Sequence, residues 1–256
     1  MTLSQFEKGI HNSVKLIQSA HSIVAITGAG ISTPSGIPDF RTNTTGLWEQ
    51  NDPLKVASLS AFQHQPEIFF NWLRPLSRLI MAANPNSAHF SLAAFEKMGK
   101  LRAVITQNID GLHQKAGSQE VIELHGNLTT WTCLSCGTKI SLETIRVILI
   151  DSDGIPVCPR CSRVLKPDIV LYEEQLSAVT LQHAEEMCIQ SDLVMVIGSS
   201  LKVFPAADLP MLALKNNAKF ILNTLSSTYL DRLADQRLPY DSSLVLPIIL
   251  DRLTNF

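Results

Sequence analysis

Short apolar runs recur along the chain, and longer segments with helical periodicity lie between several of them. The runs of strand length are 23–26, 103–105, 121–124, 193–197 and 220–222. The segments with helical periodicity are 3–20, 87–98, 178–190 and 206–215. Strands without polar alternation are typical of a parallel sheet that is covered by helices on both faces. We therefore predict an α/β fold with a doubly wound, parallel, Rossmann-like sheet.

Two segments interrupt this alternation. Residues 34–84 contain no clear strand and several aromatic side chains, which predicts a loop leading into a small helical module. Residues 127–167 contain four of the five cysteines and predict a second inserted module. A chain of 256 residues is long enough for one large domain, or for one domain with a smaller appendage.

The composition excludes several classes of protein. Hydrophobic residues make up 45% of the chain, charged residues 17%, and the formal net charge is −2, which excludes a disordered or collagen-like chain. A protein that coats nucleic acid needs an excess of Lys and Arg, and this chain has none. No apolar run approaches the roughly 20 residues that span a bilayer, and the N-terminus shows no secretory signal. We expect a cytoplasmic protein with no membrane partner.

The cysteine spacing is typical of a metal site. Cys133 and Cys136 form one CxxC pair, Cys158 and Cys161 form another, and 21 residues lie between the pairs. Four thiolates complete a tetrahedron around one zinc ion and leave no position for a reactive water, so we predict a structural zinc. The alternative is a pair of redox or disulfide sites. Cys188 lies in a helical pattern and is predicted to be a core thiol.

A zinc ribbon that binds nucleic acid is a competing interpretation of the cysteine module. Between Cys133 and Cys161 the module contains three basic and three acidic side chains, so their charges cancel. They are Lys139, Arg146 and Arg160 against Glu143, Asp151 and Asp153. This balance gives no electrostatic reason to bind phosphates, and we expect no direct contact with nucleic acid.

A glycine-containing turn follows the first predicted strand. Backbone N–H groups of Gly28 and Gly30 are placed to cradle a pyrophosphate. Thr33 stands where a dinucleotide fingerprint has its third glycine, and Pro34 and Pro38 follow before any helix. An ordinary dehydrogenase is therefore disfavoured, and a tight turn without a ligand stays an alternative.

Several ordered motifs together carry a more specific resemblance. They are GAGIS at 28–32, GIPDFR at 36–41, TQNIDGLH at 106–113, LHG at 124–126 and GSSL at 198–201, with Asn223 after them. In this order, and with the paired cysteines after the His-Gly motif, the chain resembles the sirtuin family of NAD-dependent protein deacylases. The resemblance extends from about residue 20 to residue 225 and is greatest to bacterial and archaeal members.

The resemblance implies an enzyme that moves the acyl group of an acyl-lysine to ADP-ribose and releases nicotinamide. It implies NAD as co-substrate, one structural zinc, and acyl-lysine proteins or peptides as partners. The organisation it implies is a Rossmann-like NAD-binding domain with two insertions. The domain comprises residues 1–33, 85–126 and 168–256, the cofactor loop and helical module comprise 34–84, and the zinc-binding module comprises 127–167.

The resemblance also implies catalytic residues. His125 is the candidate general base, which takes a proton relayed through the ribose hydroxyls so that the 2′-oxygen attacks the imidate intermediate. An imidazole suits this role because its unperturbed pKa of about 6.5 lies near working pH. Asn108 orders the ribose region, Asp110 binds the nicotinamide carboxamide, and Ile109 packs on the nicotinamide ring. The alternative for residues 108–110 is a helix-capping cluster.

Further contacts to NAD follow from the same motifs. Phe40 shields the cleaved ribose carbon and Arg41 engages a phosphate, whereas their alternatives are a core aromatic and a solvated charge. The remaining contacts implied are Ala29, Thr33, Gln107, His125, Ser199, Ser200 and Asn223.

Val170, Leu171 and Tyr172 are the predicted substrate contacts. Glu173 stands where the family has a glycine, which puts the preference for flanking peptide in question. Members that remove succinyl or malonyl groups have a Tyr and an Arg where this chain has Leu73 and Leu76. We therefore predict a neutral acyl group, either acetyl or a longer fatty acyl.

Three other functions compete with deacylation. One is mono-ADP-ribosyl transfer on the same scaffold, another is an NAD-dependent dehydrogenase, and the third is a non-enzymatic zinc-ribbon binding module. The proline-containing loop after Gly30 argues against the dehydrogenase, and the motif around His125 argues against the binding module. The sequence leaves the oligomeric state open, with a monomer as the simplest arrangement.

Overall fold

Two β-sheets form the framework of the protein. The computed structural model describes residues 3–39 and 51–255. The large sheet has six strands in the order β3-β2-β1-β7-β8-β9, and every neighbouring pair is parallel. The small sheet has three antiparallel strands in the order β5-β4-β6.

The strands of the large sheet are β1 Ile23–Thr27, β2 Leu101–Thr106, β3 Val121–Glu123, β7 Leu193–Ile197, β8 Lys219–Asn223 and β9 Gln236–Leu238. The strands of the small sheet are β4 Gly126–Cys133, β5 Lys139–Ser141 and β6 Leu165–Ile169. The helices are α1 Leu3–Ser19, α2 Pro53–Val56, α3 Leu59–His64, α4 Pro66–Ala82, α5 Ser87–Lys97, α6 Leu112–Lys115, α7 Leu142–Arg146, α8 Ala178–Ile189, α9 Leu209–Lys215 and α10 Ser242–Thr254. None of the helices in these described ranges has the length and apolar character needed to cross a bilayer.

The predicted fold class is confirmed, since the five apolar runs form β1, β2, β3, β7 and β8. The predicted helix 206–215 differs in its first turn, which is a 3₁₀ turn at Ala206–Asp208. Pro210 follows at the start of α9 and supports a helix that begins there, because proline is favoured at the first helical positions. The sequence pattern did not predict β9 or α10, and Pro247 interrupts the apolar pattern of α10.

Helices cover both faces of the large sheet. Alternate residues of β1 point to opposite faces, so Ile23 and Ala25 join one buried cluster while Val24 and Ile26 join another. The first cluster includes side chains of α1, α5 and α10, and the second includes side chains of α8 and α9. This double coverage explains why the apolar runs show no polar alternation.

A third cluster joins the small sheet to the helical module. Phe69 and Phe70 of α4 are fully buried, and the ring of Phe70 stacks on Trp131 of β4 at 6.1 Å between centroids. The segment predicted as a loop and helical module therefore contains α2, α3 and α4. Residues 40–50 of that segment lie outside the described residues.

A candidate active site between two cavities

The loops after β1 and β7 meet where the strand order of the large sheet reverses. Gly30 N donates to Gly198 O at 2.9 Å, and Gly28 N donates to Ile197 O at 3.1 Å. A Cβ on Gly198, whose φ is +63°, would lie 2.3 Å from the nitrogen of Ile31. Glycine is therefore required for this approach, and the reversal leaves a crevice at the carboxyl ends of the strands.

A polar cavity of about 220 Å³ occupies this crevice. Asn108, which was predicted to order the ribose, lines it. Seven of the predicted NAD contacts line it as well, namely Ala29, Thr33, Gln107, His125, Ser199, Ser200 and Asn223. Phe40 and Arg41, also predicted, lie outside the described residues. Sequence reasoning missed other lining residues, namely Asp39, Lys202, Val203, Thr224, Leu225, Ser226, Tyr240, Asp241 and Ser242. Residues 224–226 directly follow β8, so the rule that ligands bind at the ends of parallel strands could have identified them from the sequence.

Asn108 and Asp110 form a buried polar network with Ser32. The Ser32 hydroxyl donates to Asp110 Oδ2 at 2.7 Å, and Asn108 Nδ2 donates to the oxygens of Ser32 and Gly28, each at 3.2 Å. Burial raises the pKa of Asp110 above its usual range. Asp110 Oδ1 also accepts from Leu112 N at 2.9 Å, so the capping contact left open as an alternative is present as well.

His125 lies in the two-residue connection between β3 of the large sheet and β4 of the small sheet. Its Nδ1 is 2.8 Å from the carbonyl oxygen of Gln107. A carbonyl only accepts, so Nδ1 carries the hydrogen and Nε2 is the basic nitrogen of the neutral ring. Gly126 follows with φ +70°, and a Cβ there would lie 2.0 Å from Asp168 O. The close pairing of β4 with β6 therefore requires glycine beside the histidine.

A second cavity, of about 650 Å³, lies between the two sheets. The predicted substrate contacts Val170, Leu171 and Tyr172 line it, and so does Ile109, which was predicted to contact NAD. Its other apolar lining residues are Ala57, Trp72, Ile169, Leu176, Ala178, Leu181, Val203, Phe204 and Pro205. His125, Gln107 and Val203 line both cavities, so the two spaces meet at the imidazole. Asp110 is not among the described residues that line either cavity.

The apolar cavity has an acidic rim. Its charged lining residues in the described part of the chain are Glu173 and Glu174, without a Lys or Arg. Leu73 and Leu76 do not line it and are buried in the cluster shared with the small sheet. The wall at 170–174 is fixed by backbone contacts, since Val170 N donates to His125 O at 2.9 Å and Tyr172 N donates to Ala57 O at 3.1 Å.

The four cysteines of the CxxC pairs converge. Their sulfur atoms all lie within 4.8 Å of one another, and none of the four is in a disulfide. Four thiolates at about 2.3 Å from one zinc ion lie about 3.8 Å apart in a tetrahedron, which this cluster fits. Hydrogen bonds from Thr138 lower the pKa of Cys136 to about 6, whereas the neighbouring thiol of Cys133 raises that of Cys161 to about 12. None of these cysteines lines either of the two cavities described above, which fits a structural ion.

Cys188 is separate from this cluster. It is fully buried in α8, and burial raises the pKa of its thiol to about 12. The prediction of a core thiol is confirmed.

Comparisons with known proteins agree on one family. The model of the Sir2 family matches residues 28–205. The chain is similar to NAD-dependent protein deacetylase 1 of Pyrobaculum aerophilum, with 43% identity over 242 residues, 93% of this chain and 92% of that protein. It is also similar to NAD-dependent protein deacylase 2 of Archaeoglobus fulgidus, with 40% identity over 246 residues and 96% of each protein covered. A solved structure described as Sir2-p53 peptide-NAD+ superimposes with a TM-score of 0.88 at 36% identity, covering 96% of this chain and 99% of that chain.

Proposed function

The chain belongs to the Sir2 family, and we propose that it is an NAD-dependent protein-lysine deacylase. It transfers the acyl group of an acyl-lysine to ADP-ribose and releases nicotinamide. The observation that carries this proposal is the position of His125, which lines both the polar and the apolar cavity. NAD in the first cavity and an acyl-lysine stem in the second would bring their reacting atoms together at this side chain.

The polar cavity holds NAD. The N–H groups of Gly28 and Gly30, predicted to cradle a pyrophosphate, already donate to Ile197 O and Gly198 O. Ser199 and Ser200, at the end of β7, line the cavity and offer hydroxyl groups to the pyrophosphate instead. Asn108, fixed by Gly28 and Ser32, orders the ribose. Ile109 lies on the side of the apolar cavity, where it packs on the nicotinamide ring. Asp110 binds the carboxamide, and its buried network with Ser32 holds the loop in place.

His125 acts as the general base. Its contact with Gln107 O holds the hydrogen on Nδ1, so Nε2 takes the proton that a ribose hydroxyl loses when it attacks the acyl carbon. A correctly placed general base contributes typically 10²–10⁴-fold to the rate. Its orientation depends on both sheets, because the residue lies in the connection between them.

The zinc ion is structural. Cys133, Cys136, Cys158 and Cys161 hold it with four thiolates, and the metal supplies folding free energy to a small sheet with little core of its own. The domain boundaries given above, the cytoplasmic location and the monomeric state stay predictions. Limited proteolysis, cell fractionation and sedimentation would test them.

The acyl group is neutral. The apolar cavity offers apolar walls and two carboxylates, and its described lining contains no cation that would pair with a succinyl or malonyl carboxylate. Val170, Leu171 and Tyr172 form the wall for the acyl-lysine stem. We expect acetyl-lysine to be turned over faster than succinyl-lysine in the same peptide, and the reverse order would refute a neutral pocket.

A product assay tests the function. Purified protein is incubated with NAD and an acetylated peptide, and the products are identified by mass spectrometry. We expect nicotinamide, deacetylated peptide and O-acetyl-ADP-ribose in equal amounts. ADP-ribosylated protein without O-acetyl-ADP-ribose would indicate ADP-ribosyl transfer. Formation of NADH would indicate a dehydrogenase, and unchanged NAD would indicate a binding module.

A further inference from the structure

Residue 173 occupies an unusual backbone conformation at the mouth of the apolar cavity. Its φ is +73°, in the left-handed region that side chains other than glycine rarely adopt. The conformation is imposed by the preceding residue, because Tyr172 N donates to Ala57 O and Tyr172 O accepts from Leu59 N at 3.0 Å. The side chain of residue 173 is therefore directed by a fixed backbone.

The Glu173 carboxylate is held in place. Its Oε2 accepts from the backbone N–H of Ser60 at 2.8 Å, across 113 residues of sequence. The side chain and the backbone N–H of Ser60 both lower the pKa of Glu173, and His64 on the same helix, α3, favours the charged form further. The side chain is exposed to solvent and lines the apolar cavity. A charged group thus stands at a defined place in the lining of the apolar cavity, where the proposed function brings in a peptide.

No Lys or Arg among the described lining residues balances the charge of Glu173. Glu174, the other lining carboxylate, forms an ion pair at 2.9 Å with the buried Lys166. Tyr172 and Phe204 line the same cavity and are 37% and 63% exposed. A carboxylate near exposed aromatic faces suits a cation with an apolar stem, since the rings attract cations and the stem packs on them.

We propose that Glu173 selects acyl-lysines that have a neighbouring Lys or Arg in the substrate. The inference rests on the proposed deacylase function and names its substrate class more closely. A solvent-exposed ion pair of this kind contributes a modest discrimination, of about two- to fivefold in kcat/KM. Because screening by salt weakens exposed pairs, the discrimination falls as ionic strength rises.

The test uses acetylated peptides that differ at one position beside the acetyl-lysine, with Arg, Gln or Glu, placed in turn at two positions on each side. Steady-state kcat/KM is measured for the wild type, Glu173→Gln and Glu173→Gly. Glu173→Gln removes the charge and keeps an oxygen that accepts from Ser60 N. Glu173→Gly keeps the backbone conformation and removes the whole side chain. Glu143→Gln, on α7 of the small-sheet region, is the matched control for net charge.

For at least one position, we expect kcat/KM of the wild type to be about two- to fivefold higher for the Arg peptide than for the Gln peptide. We expect it to be lower for the Glu peptide than for the Gln peptide by a similar factor. Both Glu173 variants bring the Arg-to-Glu ratio close to one, whereas Glu143→Gln retains it. The same ratio in wild type and Glu173→Gln, or no preference in the wild type, overturns the inference. Turnover of the Gln peptide by the wild type reports on deacylation separately from this preference. If the wild type does not deacetylate the Gln peptide, the proposed function fails, and this inference fails with it.

Discussion

The two sheets of this protein are stabilised in different ways. Every residue of β1 and β7 in the large sheet is buried, and two apolar clusters cover its faces. In the small sheet, β5 has exposed residues at both ends, and β4 has two adjacent exposed residues, Thr129 and Thr130. Two apolar clusters of its own hold the large sheet. The small sheet shares one apolar cluster with the helical module and adds four thiolates and polar links to its neighbours. The proposed active site lies where the two sheets meet.

The zinc site of the small sheet gives the largest expected effect on stability. For Cys161→Ser we expect a loss of about 4 kcal/mol or more in free energy of unfolding, because a structural metal contributes folding energy directly. Hydrogen exchange should rise first in β4, β5 and β6, while β1 and β7 stay protected. Metal analysis should give one zinc per chain in the wild type and less in the variant.

Cys188→Ala is the control for this change. It removes a buried thiol from α8 in the large-sheet region, and we expect a loss of about 1 kcal/mol with full zinc content. Equal losses of stability and of zinc in the two variants would contradict the assignment of the metal to the small sheet.

Arg74 tests the link between the small-sheet region and the helical module. Its guanidinium is buried and donates to the carbonyl oxygens of Leu149, Asp153 and Gly154, at 2.8, 2.8 and 3.1 Å. Arg74→Met leaves these acceptors without a donor, and we expect a loss of about 3 kcal/mol in urea unfolding. Arg78→Met removes an exposed partner of the same Asp153 and should cost less than about 1 kcal/mol. Similar costs for both would show that burial of Arg74 is unimportant.

A buried histidine pair makes the large-sheet region sensitive to acid. The rings of His89 and His113 lie 4.9 Å apart, and Thr27 of β1 is bonded to His113 at 2.9 Å. Burial lowers the pKa of His89 to about 4, and burial together with His89 lowers that of His113 to about 3. Both take up protons in the unfolded chain near pH 6.5, so their contribution is complete above that pH and is lost as pH falls toward 4 and 3.

Between pH 6.5 and 5 each histidine accounts for up to about 2 kcal/mol. The raised pKa of Asp110 acts in the opposite direction, because its carboxyl gains a proton more readily when folded. We therefore expect the free energy of unfolding, measured in urea, to be lower at pH 5 than at pH 6.5, by less than the roughly 4 kcal/mol that the two histidines would give together. The double variant His89→Gln and His113→Gln should flatten this dependence, and the exposed His11→Gln should leave it unchanged. An unaltered pH dependence in the double variant would refute the account.

The smallest expected effect concerns the cavity wall that joins the two regions. Glu173→Gly and Glu173→Ala both lose the contact with Ser60, but only glycine adopts φ +73° without steric cost. The glycine variant should be more stable than the alanine variant by about 1 kcal/mol. Equal thermal unfolding temperatures, or a more stable alanine variant, would show that the backbone is not held in this conformation.

The same contrast between regions explains what sequence could predict. Runs such as 193–197 identify the large sheet because both faces are covered, and the doubled CxxC spacing identifies the metal site because thiolates bind zinc in a fixed geometry. By contrast, β9 is short and contains polar residues, so no pattern marked it. Contacts such as that between Glu173 and Ser60 join distant parts of the chain and follow only from the fold. The network of Ser32 with Asp110 is of the same kind.

The most direct test of the account separates the two chemical steps at the junction of the cavities. In His125→Ala, exchange of labelled nicotinamide into NAD in the presence of acetylated peptide is measured beside formation of O-acetyl-ADP-ribose. Because the base acts after nicotinamide leaves, we expect exchange to continue while product formation falls by about 10²–10⁴-fold, at an unchanged unfolding temperature. O-acetyl-ADP-ribose formed at the wild-type rate would contradict the role of His125 and the central claim with it.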